Sequence, residues 1–305
     1  MTDKKIIIAA NFKMNKTHIE VRAYLNSFFK KLKELNININ DKTDEKCIET
    51  DAEIIFAPPF TALNEAYNII EENIEFGHLV KLASQNIYFE SAGAYTGEIS
   101  IEMIKAFDCS YAIIGHSERR CILNESDDLI AKKIFAVFNY NSKKIDLNFC
   151  EKHNGKLIPI LCVGENLDIR KSGKAFDFVA GQLDKALNYS KNNLNSNMQN
   201  INDKLKDKSI IEIDELIVAY EPVWAIGAGS SIEPEDGEKM HKFIYKHLNN
   251  NYSSIKNFSV IYGGSVTEKN INILMEKEHI DGVLVGGASL DPQSFFNIYK
   301  FAVSK

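Results

Sequence analysis

The strongest constraint on the fold is an alternation that runs the length of the 305-residue chain. Residues 5–11 (KIIIAAN), 53–57 (EIIFA), 80–85 (VKLASQ), 111–115 (YAIIG), 157–163 (LIPILCV), 216–220 (LIVAY), 258–262 (FSVIY) and 282–285 (GVLV) are short, apolar and rich in β-branched side chains. Runs of this kind suit strands buried on both faces, as in a parallel sheet. Between them, residues 19–35, 63–72, 102–107, 129–138, 176–187, 237–248, 270–276 and 292–302 carry apolar residues at helical spacing. Pro292 behind Asp291 reads as a first-turn proline behind an N-cap, and Pro234 reads the same way. Eight strands and eight helices in strict alternation predict a (β/α)8 barrel, with a doubly wound open sheet as the architectural alternative.

One barrel takes about 250 residues, so this chain is long for it. Three segments, approximately 36–51, 139–156 and 188–214, break the helical period and are rich in Asn, Lys and Ile; seven of the fifteen residues from 188 to 202 are Asn. They are expected to be loops that bury little. The predicted organisation is a single barrel domain over 1–305 with these insertions. Each follows a helix and precedes a strand, at the N-terminal face of the barrel. Barrel sites are built on the opposite face, from the loops that follow strands.

Composition narrows the function classes. A net charge of −6 argues against a nucleic-acid partner. The five cysteines, Cys47, Cys109, Cys121, Cys150 and Cys162, are odd in number and lack CxxC spacing. They predict free thiols in a reducing compartment rather than bridges or a zinc site. No apolar stretch reaches the roughly 18 residues of a membrane span, and the 6–10 run is too short for a signal peptide. The expectation is a soluble cytoplasmic protein, or an organellar one if a targeting segment has been removed.

The residues that carry chemistry follow strands. Asn11 and Lys13 follow the first, where the lysine is either a surface charge or a cation aimed at an anionic substrate. His116 follows the fourth, just before a helix start whose backbone amides favour a neutral imidazole. Such a ring can donate to a carbonyl oxygen and shuttle a proton, although a histidine satisfied by backbone groups reads the same way. Glu221 follows the sixth strand, beside the only tryptophan, Trp224, and ahead of a small-residue segment able to hinge. A carboxylate in a closable, semi-apolar pocket suits a general base. Gly-Gly pairs follow strands seven and eight, where consecutive amides can cradle phosphate. Each feature alone also has an ordinary structural reading; together they describe one site.

The motifs NFKMN, SQNIYFESAGAYTGEIS, IGHSERR, PILCVGE, AYEPVWAIGAG, YGGSV and LVGGASL occur in that order from the first strand to the last helix. Through them the chain resembles the triosephosphate isomerase family over its whole length except the three insertions. The resemblance implies interconversion of dihydroxyacetone phosphate and D-glyceraldehyde 3-phosphate through an enediolate, without metal or organic cofactor. It makes Glu221 the base, His116 the neutral electrophile, Lys13 the positive charge and Asn11 a hydrogen-bond donor. It assigns Gly227, Ser265, Gly286 and Gly287 to the phosphate, and Pro222, Val223, Trp224, Ala225, Ile226, Gly227, Ala228 and Gly229 to a lid, with Glu165 as partner of the Trp224 indole. It also implies a homodimer with Tyr95, Thr96, Gly97 and Glu98 at the interface. The departures are Tyr95 for a more usual Phe, Ala228 and Ser230 for Thr and Lys, and 109–111 (CSY) without the family's tryptophan. A different phosphate-binding barrel enzyme, or a catalytically weak paralogue acting as a scaffold, is the alternative.

Overall fold

The computed structural model describes residues 5–40, 52–142, 155–202, 213–225 and 232–304. Eight strands follow one another around a closed barrel: β1 (Ile6–Asn11), β2 (Ala52–Ala57), β3 (Val80–Ser84), β4 (Cys109–Ile114), β5 (Ile158–Val163), β6 (Ile213–Tyr220), β7 (Ile255–Tyr262) and β8 (Gly282–Val285). Every pairing is parallel, and β8 returns to β1 with Ile8 opposite Val283. That closure excludes the open doubly wound sheet. The described helices are α1 (His18–Asn40), α2 (Leu63–Glu72), α3 (Ile101–Lys105), α4 (Ser117–Cys121), α5 (Asp127–Ser142), α6 (Leu167–Lys171), α7 (Ala175–Asn202), α8 (Pro234–Asn251), α9 (Ile271–Met275) and α10 (Pro292–Val303). The short α4 and α6 are additions to the predicted alternation.

Strand periodicity divides the apolar residues between two cores. Ile7, Ala9, Ile55, Ala57, Ile113, Ile160, Ile217, Ala219 and Ile261 fill the barrel interior. Their neighbours Ile8, Ala10, Ile54, Phe56, Ile114, Leu161, Val218 and Val260 face the surrounding helices. Alternation that is invisible in a continuously apolar run thus becomes two filled layers. Full burial of each large aliphatic side chain contributes about 1.5–3 kcal/mol.

Helix starts follow the sequence signals. Asp291 caps α10 by accepting from Ser294 N at 2.7 Å, with Pro292 in the first turn. Pro234 opens α8, but Glu233 supplies no side-chain cap. Asn166 caps α6 by accepting from Ile169 N at 2.9 Å.

The three insertions are not loops throughout. α1 continues to Asn40, α5 to Ser142 and α7 to Asn202, while β6 begins at Ile213. Asparagine costs a helix only a few tenths of a kcal/mol each, and neither 36–40 nor 188–202 contains Gly or Pro to stop it. A helix nucleated and packed earlier in its length therefore propagates through them. Residues 41–51, 143–154 and 203–212 lie outside the described residues.

Candidate active site

The inward strand face continues into the C-terminal mouth of the barrel. On β1 the series Ile7, Ala9 runs on to Asn11 and Lys13; on β6 the series Ile217, Ala219 runs on to Glu221. β7 and β8 bring Gly263 and Gly286 to the same level. A Cβ on Gly263 would stand 2.8 Å from Glu221 Cγ, and one on Gly286 would stand 3.1 Å from Lys13 Cε. These glycines therefore make room for the two charged side chains, a role the motif reading did not assign them.

Lys13 has a left-handed backbone, φ 51°. Such strain costs a non-glycine residue about 1–3 kcal/mol and persists only when contacts over-determine it. Here Lys13 N donates to Asn11 Oδ1 at 2.9 Å, Gln85 Nε2 donates to Lys13 O at 2.9 Å, and Lys13 Nζ pairs with Glu118 Oε1 at 2.7 Å. Glu118 was not singled out from the sequence; the available signal was its place in the IGHSERR motif, in the first turn of α4.

At the end of β4, Gly115 turns the chain with φ +72°, and His116 becomes the N-cap of α4. His116 Nδ1 accepts from Glu118 N at 3.3 Å. With Nδ1 as acceptor, the ring proton of that tautomer sits on Nε2. Nε2 lies 3.2 Å from Glu221 Oε1, and Ser117 N donates to Glu221 Oε2 at 2.8 Å. Glu221 is 2% exposed. Its carboxylate thus rests on the first amide of α4 and on the imidazole. Burial and the adjacent Glu221 charge push the Cys162 thiol well above its ordinary range, so it stays protonated beside that carboxylate.

The segment after Glu221 starts with a one-turn 3-10 helix, Val223–Ala225. Trp224 Nε1 donates to Glu165 Oε1 at 3.0 Å, as the resemblance implied. The fully buried Glu165 also accepts from Tyr220 OH at 3.1 Å, and the Arg170 guanidinium stacks 5.5 Å from the Trp224 ring centroid. Ser265, expected at the phosphate, donates its hydroxyl to Ala225 O at 3.0 Å, tying the loop after β7 to this turn. Gly287 opens a short 3-10 helix, Gly287–Leu290, with open space where its Cβ would be. Ile226, Gly227, Ala228 and Gly229 lie outside the described residues.

Tyr95, Thr96, Gly97 and Glu98 lie on an exposed loop, where the Tyr95 ring packs at a tilt against Tyr88 with centroids 4.7 Å apart. Among the described residues, one other group brings ligand-type atoms together: Glu238, Glu278 and His279. It lies outside the mouth, and His279 Nδ1 is already 2.5 Å from Glu238 Oε1.

The family model for triosephosphate isomerase matches residues 6–302. The triosephosphate isomerase of Dictyoglomus turgidum is 38% identical over 299 residues, 97% of this chain and 99% of that protein. That of Aquifex aeolicus is 38% identical over 297 residues, with 97% and 99% covered. That of Alkaliphilus metalliredigens is 35% identical over 301 residues, with 98% and 100% covered. Family model and relatives alike run from the first strand to the last helix, and the chain therefore belongs to the triosephosphate isomerase family.

Proposed function

We propose that the chain interconverts dihydroxyacetone phosphate and D-glyceraldehyde 3-phosphate through an enediolate, with Glu221 as base and His116 as electrophile. The observation that carries this assignment is the approach of His116 Nε2 to Glu221 Oε1 at 3.2 Å, at the mouth that also holds Lys13. The substrate carbonyl acidifies the neighbouring C–H bond. Glu221 takes that proton and returns it to the adjacent carbon. His116 Nε2–H donates to the oxygen on which negative charge grows and passes a proton to it, recovering one from the neighbouring hydroxyl so that the O–H moves from one enediolate oxygen to the other; Lys13 supplies positive charge beside them. Donors aimed at a developing oxyanion commonly supply the largest catalytic contribution. To reach the carbon, Glu221 leaves Ser117 N. The turn Val223–Ala225 is joined to Glu221 through Pro222 alone, so lid movement and the swing of the base belong together. Closure excludes water and protects the enediolate from losing phosphate, behaviour for which this family is itself a standard example. Asn11 as donor, and Ser265, Gly227, Gly286 and Gly287 as phosphate contacts, complete the proposed site.

A coupled isomerase assay tests the reading. Wild-type protein is expected to turn over in both directions, and Glu221→Asp to lose most of that activity; a Glu221→Asp variant with near-normal turnover overturns the choice of base.

The exposed loop bearing Tyr95, Thr96, Gly97 and Glu98, together with Met14 at 97% exposure, supports a homodimer in which this loop enters a second copy. An isologous contact of that kind gives C2 symmetry; sedimentation at the mass of one chain would refute it. No described helix is long and apolar enough to cross a membrane. The free thiols Cys109, Cys121 and Cys162 support a cytoplasmic location.

A further inference from the structure

Pairing between β4 and β5 stops at Ile114 opposite Leu161. The next pair in register is Gly115 and Cys162, but Gly115 has turned away with φ +72°. The carbonyl oxygens of these two residues are bridged instead by one side chain. Arg120 Nε donates to Gly115 O at 2.7 Å, and Arg120 Nη2 donates to Cys162 O at 2.9 Å. The third nitrogen, Nη1, donates to Asp127 Oδ1 at 2.6 Å, on the first residue of α5. The Arg120 side chain is 12% exposed. A Cβ on Gly115 would stand 2.9 Å from Arg120 Nη2, so the glycine both turns the chain and admits the guanidinium. Burial alone would raise the Asp127 carboxyl, but hydrogen bonds from Lys185 and Arg120 outweigh it and hold the group below its usual range.

We infer that Arg120 is a positioning residue for the isomerisation: it clamps the diverging ends of β4 and β5 and thereby fixes His116 against Glu221. His116 is the residue immediately after the clamped Gly115 carbonyl. Cys162, the other clamped residue, lies against Glu221. One guanidinium thus ties the backbone of the electrophile to the strand that supports the base, without touching a reacting atom. Three donors in a rigid plane are needed to reach two carbonyls and a carboxylate at once, which a single ammonium cannot do. The inference rests on the isomerase reading of the site.

The test compares wild type, Arg120→Lys and Asp127→Asn by steady-state kinetics and by the 15N resonances of the His116 ring. Misplacing a reacting group by about 1 Å costs up to about 100-fold in rate. Arg120→Lys is therefore expected to lower kcat about 10- to 100-fold, leave KM nearly unchanged and shift the His116 resonances. Asp127→Asn is expected to change the same quantities in the same direction by less. A folded Arg120→Lys protein with unchanged kcat and unshifted His116, differing only in melting temperature, overturns the clamp. If Arg120→Lys does not fold, Asp127→Asn decides on the same two readouts. Wild-type protein that fails to isomerise refutes the site reading instead, and the clamp is then judged on the His116 resonances with 2-phosphoglycolate added as the site probe.

Discussion

Glu215 and Glu221 stand on the same face of one strand, six residues apart, at opposite mouths of the barrel. At the C-terminal mouth Glu221 meets the Ser117 amide and the His116 ring. At the N-terminal mouth Glu215 meets a second carboxylate, Glu53, with Lys5 as the balancing charge. Burial, and the Glu53 charge after it, raise the Glu215 carboxyl above the ordinary glutamate range, while Lys5 opposes the shift. Glu53 itself accepts from the buried Tyr111 hydroxyl at 2.6 Å and pairs with Lys5. The difference follows from helix direction. In a parallel barrel, helix N-termini with their unsatisfied amides surround the C-terminal mouth, whereas helix C-termini present carbonyls at the other. A carboxylate finds backbone donors at one end and must find side-chain partners at the other. Glu221 is accordingly held by an amide and an imidazole, and Glu53 by a hydroxyl and an ammonium.

The largest expected effect that tests this contrast is at the C-terminal mouth, where the proposed base stands. Glu221→Gln should cost about 10²–10⁴-fold in kcat, the usual contribution of a positioned base, with little change in unfolding free energy; a variant that unfolds readily but turns over normally would reverse the assignment of the two ends. Tyr111→Phe should do the opposite. It removes a donor from buried Glu53, and denaturant unfolding should show a loss of about 1–3 kcal/mol with kcat retained. Reduced kcat without reduced stability would show that the N-terminal mouth takes part in turnover.

A smaller effect is expected at Glu215, with a defined sign. Its folded pKa lies above the unfolded value, so the folded state holds the proton to higher pH. No penalty exists below the unfolded carboxyl range; it grows as pH rises and is complete above the folded value. Glu215→Gln should therefore raise the melting temperature relative to wild type near about pH 7 and leave it unchanged near about pH 3. Equal gains at both pH values would show that the side chain acts through packing. Smallest of all, deleting 192–204 should leave turnover within a few fold, because α7 ends toward the N-terminal mouth; a large loss in a folded deletion would mean that this segment reaches the site.

Much of this contrast can be read in the linear chain. Asn11 ends a recognisable strand, His116, Glu221 and Gly286 each sit just past one, and the motifs around them name the family. Other parts are not readable there. A continuously apolar strand hides which residues face inward, so the kinship of Glu215 with Glu221 emerges only from the two filled cores. Glu118 looks like any first-turn acid until Lys13 lies 2.7 Å away. Gly263 looks like a turn glycine until a Cβ there is seen to strike Glu221. The Asn-rich stretches look like loops because their composition is polar, yet helices that are packed over their earlier turns carry into them.

The alternation of strand and helix, the groups available for chemistry and the family to which they belong are all legible in the linear chain. These are local properties, set by spacing along a few residues. Only in the closed barrel does Ser117 hold the Glu221 carboxylate, Arg120 bridge two carbonyls beyond the last β4–β5 pair, and Lys13 stay in a left-handed backbone. Those outcomes join residues separated by up to about a hundred positions, and only the closure of eight strands around one axis brings such residues within hydrogen-bond reach.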